Sequence, residues 1–217
     1  MATEEPPYES LETSGDVELR RYAPMIVAET LVEGELGRAS SDGFRRIAAY
    51  IFGDNRPASG APGEKIAMTA PVTMEPEPQR IAMTAPVSME SVGERWRMSF
   101  VMPTGYTIAT LPSPTDLRVT LREIPGRTTA ALKFSGLAGE EKVARKTGEL
   151  RSWLAGRGIE PTSPPQLARY NPPWTPPFLR RNEILVDCAP PRSPAGEAED
   201  GQGSDRAPSP AAERSGT

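Results

Sequence analysis

The heptapeptide Ile-Ala-Met-Thr-Ala-Pro-Val occurs twice, at Ile66–Val72 and at Ile81–Val87. The likeness runs on through Thr73-Met74-Glu75 and Ser88-Met89-Glu90, so it is an internal duplication rather than a chance match. Ile66, Met68, Ala70, Val72 and Met74 alternate with Ala67, Thr69, Pro71 and Thr73. A period of two puts the first set on one face of an extended strand. Ile81, Met83, Ala85, Val87 and Met89 repeat that face. Two such segments joined by Pro76-Glu77-Pro78-Gln79 predict an antiparallel pair with a methionine-lined inner face.

The chain contains no histidine. A histidine general base, a Ser-His-Asp triad and histidine-ligated zinc or haem iron are therefore excluded. Any function must run on carboxylates, tyrosines, methionines, arginines and the single cysteine, Cys188. One cysteine permits no intrachain disulfide, which fits a reducing compartment. The net charge of −4 gives no sign of a nucleic-acid partner. With no apolar run approaching the ~20 residues of a bilayer span and no secretory leader at the acidic start, the expectation is a cytoplasmic monomer. No GxSxG elbow, CxxC, HExxH or P-loop occurs, so no catalytic residue is assigned.

Along the chain, residues 1–7 read as a flexible arm. Val17–Tyr22 and Met25–Glu33 read as strands separated by Ala23-Pro24. Ser40, Ser41 and Asp42 offer helix caps. Phe44, Ile47, Ala48 and Ile51 then form a helical stripe stopped by Gly53. After the duplicated segments come a strand over Trp96–Met102 and strands around Val119–Leu121 and Thr129–Phe134. A second helix spans Gly139–Ala155, with Val143, Thr147, Leu150 and Leu154 on its stripe. Leu167–Asn171 and Arg181–Cys188 close the series around the Pro172–Pro177 loop. Residues 189–217 carry no aliphatic side chain larger than alanine and read as a disordered tail. The order implies two pseudo-symmetric ββαββ halves. The fold class is α+β, a distorted antiparallel β-barrel flanked by two helices.

Lys65–Val72, Phe100-Val-Met-Pro103 and Tyr170–Ile184 resemble the SOUL haem-binding protein family. Arg21–Pro24 and Phe44–Gly53 fit the same pattern, and the resemblance spans residues 8–188. It implies the barrel just described and, at fold level, kinship with GyrI-like effector-binding domains. It also implies non-enzymatic binding or buffering of haem or a related porphyrin. Without histidine, the binding mode left open is an apolar groove with cationic side chains meeting the propionates.

Phe44, Ile47 and Ile51 are candidate groove residues, although the same periodicity suits packing of the helix onto the sheet. Tyr50 and Phe52 lie off that stripe and are candidates to face a ligand. Trp174 and Phe178 offer an aromatic wall, Arg180 and Arg181 offer propionate partners, and Tyr170 is a further binding candidate. Arg45, Arg46 and Lys65 are lesser cationic candidates. For iron, the conceivable ligands are Met68, Met83, Met98, Met102, Cys188, Tyr50 and Tyr170; the methionines suit core packing better. The alternative is a GyrI-like small-molecule or hydrolytic module built on Glu183 and Tyr170.

Overall fold

The computed structural model describes residues 4–57, 80–172 and 174–190. In chain order the elements are β1 (Tyr8–Ser14), β2 (Val17–Tyr22), β3 (Met25–Glu33), α1 (Leu36–Phe52) and β4 (Asn55–Arg56). Then come β5 (Val87–Val92), β6 (Arg95–Val101), β7 (Ser113–Pro114), β8 (Thr120–Ile124) and β9 (Arg127–Ser135). The series ends with α2 (Glu140–Gly156), β10 (Gln166–Arg169), a 3-10 turn over Pro177–Leu179 and β11 (Arg181–Cys188).

Among the described residues nine strands form one curled antiparallel sheet in the order β1-β2-β9-β11-β10-β5-β6-β3-β8. The chain is α+β, a half-barrel with two helices. Its symmetry is legible in that order. Moving outward from the central β10–β5 contact, β11, β9 and β2 on one side match β6, β3 and β8 on the other. Each half is a ββαββ unit, β2-β3-α1-β5-β6 and β8-β9-α2-β10-β11. The first strands are exchanged: β2 pairs with β9 of the other unit, and β8 pairs with β3.

Cross-strand partners share a face of a sheet. One row therefore runs Val17, Leu132, Ile184, Leu167, Met89, Met98 and Thr30 across seven strands, and all of it is buried. The helices cover this face. Ala39, Ile47 and Ile51 of α1 and Leu150 and Leu154 of α2 pack into the same core. A parallel row on the opposite face reads Lys133, Glu183, Ala168, Ser88, Ser99, Glu29 and Thr120. The sheet thus has an apolar, helix-covered side and a polar side.

Three sequence expectations are corrected. Helix α1 starts at Leu36, so Ser40, Ser41 and Asp42 lie inside it rather than capping it; Ser41 Oγ donates back to the Gly37 carbonyl, 3.2 Å away. The second copy of the repeat is extended only from Val87, since Ile81 to Pro86 carry no strand. Its side chains nonetheless turn inward at Ile81, Ala85 and Met89. The first copy lies outside the described residues. Finally, Tyr8–Ser14 is a strand that alternation does not reveal, because it is an edge whose pattern is mostly exposed. No described helix is long and apolar enough to cross a membrane.

Candidate functional site

The polar face carries a charge cluster built by β2, β11, the end of β10 and the N-terminal arm. Glu183 on β11 is 1 % exposed. It receives Arg20 Nη1 at 2.7 Å and Arg20 Nη2 at 3.2 Å, a two-pronged pairing across 163 residues of sequence. The Tyr170 hydroxyl donates to the same carboxylate at 2.5 Å. Arg20 also donates to Glu18 at 2.8 Å and to the Tyr22 hydroxyl at 3.2 Å. The Arg181 guanidinium lies 3.6 Å above the Tyr170 ring and donates to Glu5 with both terminal nitrogens.

The electrostatics follow from this wiring. Burial by itself would lower the Arg20 guanidinium, but the bonds to Glu183 outweigh it and hold Arg20 above its ordinary value. Burial, reinforced by the Glu183 charge, pushes the Tyr170 phenol well above its ordinary range. Arg181 Nε also approaches the Glu183 carboxylate, at 3.3 Å. Glu183 is neither a free base nor a free cation receptor, because Arg20 and Tyr170 already fill its oxygens.

Beside the cluster lies a cleft of about 420 Å³. Asp16 of the β1–β2 turn, Lys133 and Ser135 at the end of β9, and Phe178 to Arg181 surround it. The volume is within the ~300–1,000 Å³ of small-molecule pockets. Its aliphatic and aromatic surface comes from Phe134 of β9 and from the 3-10 turn, where Phe178 is 75 % exposed. Trp174 in the same proline-rich loop is 83 % exposed. Arg180 Nε donates to the Thr175 carbonyl at 2.7 Å, which steadies this loop. Lys133 stands in the cleft wall as the single charge of the run Ala130-Ala131-Leu132-Lys133-Phe134. Nearby, Arg169 bonds Ser40 and the Ala138 carbonyl, and burial together with the Arg180 charge lowers its guanidinium.

The candidates from sequence separate into three groups. Ile47, Tyr50 and Ile51 are buried in the core, and Tyr50 donates to the Pro112 carbonyl at 2.9 Å. Phe44 is half-buried against Phe100, with ring centroids 5.6 Å apart. Helix α1 therefore offers no open groove on these residues; its stripe is spent on packing. Of the residues off the stripe, Phe52 is the exposed one. Tyr170 and Arg181 are drawn into the charge cluster. Trp174 and Arg180 remain at the surface beside Phe178. Arg45 pairs with Asp42, and Arg46 donates to Thr30 and the Leu31 carbonyl. Lys65 and Met68 lie outside the described residues.

Of the conceivable iron ligands among the described residues, Met83 is half-buried. Met98 and Met102 are core residues. Cys188 is buried, and burial pushes its thiol up to about 11. Among the described residues no group of three or more cysteines and carboxylates is placed to hold a metal ion. Sequence reasoning missed Arg20, because its partner is distant in the chain. It also missed Lys133, although a lone charge inside an apolar strand is a readable signal.

The SOUL heme-binding protein family model matches residues 3–187. No curated protein sequence matches the chain. Among solved structures, a hydrolase from Listeria innocua aligns at 11 % identity and a TM-score of 0.51, covering 82 % of this chain and 94 % of its own. An uncharacterised conserved protein from the same organism aligns at 12 % identity and a TM-score of 0.50, with 79 % and 92 % covered. EcmrR, in a DNA complex, aligns at 12 % identity and a TM-score of 0.54 over 79 % of this chain and 56 % of its own. At such identities the likeness shows a common fold.

Proposed function

Because the chain belongs to the SOUL haem-binding family, we propose that it binds haem or a related porphyrin without enzymatic turnover, at the cleft beside the proline-rich loop. The observation that supports this is the convergence, on an open surface, of Phe178 and Leu179 with Lys133 and Arg180. The aromatic and aliphatic groups cover one face of a flat macrocycle, and Trp174 extends that wall. Lys133 and Arg180 pair with propionates. Prolines hold the loop in shape and lower the cost of ordering it around a ligand. The macrocycle supplies whatever redox chemistry its iron has. The residues of the cleft supply contact and charge.

The test is a titration of the full chain with haem and with metal-free protoporphyrin, read by Soret absorbance and fluorescence quenching. Both ligands bind comparably. The Lys133→Ala/Arg180→Ala double variant binds both about five- to tenfold more weakly, as expected for two exposed ion pairs. No spectral change at micromolar protein overturns the reading.

The GyrI-like fold supports a second reading, an effector module centred on Glu183. The filled carboxylate weakens it, because a cationic ligand must first displace Arg20. Glu183→Gln then abolishes binding of lipophilic cations and leaves porphyrin binding intact; unchanged cation affinity rejects the effector reading.

A further inference from the structure

A second and larger pocket, about 590 Å³, lies at the far end of β3, β6 and β8. Its walls are Pro7 from the N-terminal arm, Pro24 and Met25 at the start of β3, Met102 after β6, Tyr106, and Ile124 at the end of β8. Five of its lining residues are proline. Proline carries no N–H and a fixed φ, so these walls present little unpaired donor capacity and stand preformed. The arm is tied in place beside them. The Glu4 carbonyl accepts from Ala85 N at 2.8 Å, and the Glu4 carboxylate accepts from Thr104 N and Oγ1, both at 3.0 Å. Glu4 and Glu5, placed by sequence in a loose arm, thus anchor the chain just ahead of Pro6 and Pro7.

The charge of the pocket is as informative as its shape. Thr104, Thr107 and the Tyr106 hydroxyl are its neutral polar side-chain groups, and Glu123 is its one charged lining residue. No lysine or arginine lines it. A carboxylate or phosphate ligand would desolvate its charge beside Glu123 with no cation to compensate. We propose that this pocket binds an apolar small molecule that is uncharged or singly cationic, with Glu123 setting the preference against anions. The site is separate from the cleft assigned to porphyrin and has the opposite charge requirement.

The full chain is titrated with Nile red (uncharged), rhodamine 6G (cationic) and anilinonaphthalene sulfonate (anionic), read by fluorescence. Nile red and rhodamine 6G bind saturably and compete with each other, and the anionic dye does not displace them. Ala23→Trp, at an exposed position on the pocket rim, weakens both dyes roughly tenfold or more and leaves porphyrin titration unchanged. Phe178→Ala has the reverse effect, so failure at one site is distinguishable from failure at the other. Glu123→Lys, a surface change, weakens rhodamine 6G and spares Nile red. Nile red affinity unaltered by Ala23→Trp, its loss on Phe178→Ala, or rhodamine 6G binding indifferent to Glu123→Lys each overturns the proposal.

Discussion

At the scale of single residues, the Arg20–Glu183 pair is the most consequential contact. Breaking a buried pair from one side strands a charge, which costs about 3–5 kcal/mol. Arg20→Met is therefore expected to lower the free energy of unfolding by that order, measured by denaturant titration. The Arg20→Met/Glu183→Leu double variant should recover much of the loss. Tyr170→Phe removes one hydrogen bond to a charged group and costs about 1.5–3 kcal/mol. Its raised phenol has a clear pH sign. Stability from the protonated hydroxyl is complete below the ordinary tyrosine value of 10.0 and is lost as pH rises above it. Absorbance at 295 nm should then show Tyr170 ionising only with alkaline unfolding, while Tyr170→Phe removes that share of the step. Asp116 shows the opposite sign. Hydrogen bonds from the Arg118 side chain hold its carboxyl down at about 2, so its contribution is present above the ordinary 3.8 and disappears as pH falls towards 2. A carboxyl NMR titration of Arg118→Ala should move Asp116 part of the way back towards the usual range, since the backbone N–H of residue 118 still donates to it.

At the scale of elements, two helical glycines answer differently to the same change. A β-carbon at Gly43 in α1 would stand 2.9 Å from Met98 Sδ and 3.2 Å from its Cβ. The helix there lies directly on β6. At Gly148 in α2 nothing lies within 4 Å. Gly43→Ala gains helix propensity but overpacks the core, for a net loss of about 1–3 kcal/mol. Gly148→Ala is a propensity gain alone, up to about 1 kcal/mol. Thermal unfolding of the two variants should move in opposite directions. The stripe of α1 shows why periodicity names a face without naming its use. Periodicity favours the core for Ile47 and Ile51, the family resemblance offers them to a groove, and the sheet beneath them decides for the core. Tyr50 looked outward on the same wheel, yet its hydroxyl reaches the Pro112 carbonyl, because the β4–β7 region folds over that side.

At the scale of the molecule, exchange of β2 and β8 means that neither ββαββ unit completes its own sheet. Each unit leaves the outer edge of its second strand for the other's first strand. A single cooperative transition is therefore expected for the described body, with fluorescence and circular dichroism curves coinciding. Separately expressed halves, cut between β6 and β8, should show no cooperative unfolding. A resolved two-step curve would count against interlocked units. The sequence by itself determined both helices and most of the strands, the α+β class, the twofold logic and the family, because alternation, helical stripes and repeated motifs are local or self-similar signals. It also excluded imidazole chemistry, which is a matter of composition. Only the tertiary structure decided which candidates have access to solvent. It spent Ile47, Tyr50 and Ile51 on the core, closed Glu183 with Arg20, and left Phe178, Lys133 and Arg180 around one opening. Pairings across more than a hundred residues leave no local trace in a chain. The register of the sheet settles them, and with them which side of each strand meets a ligand.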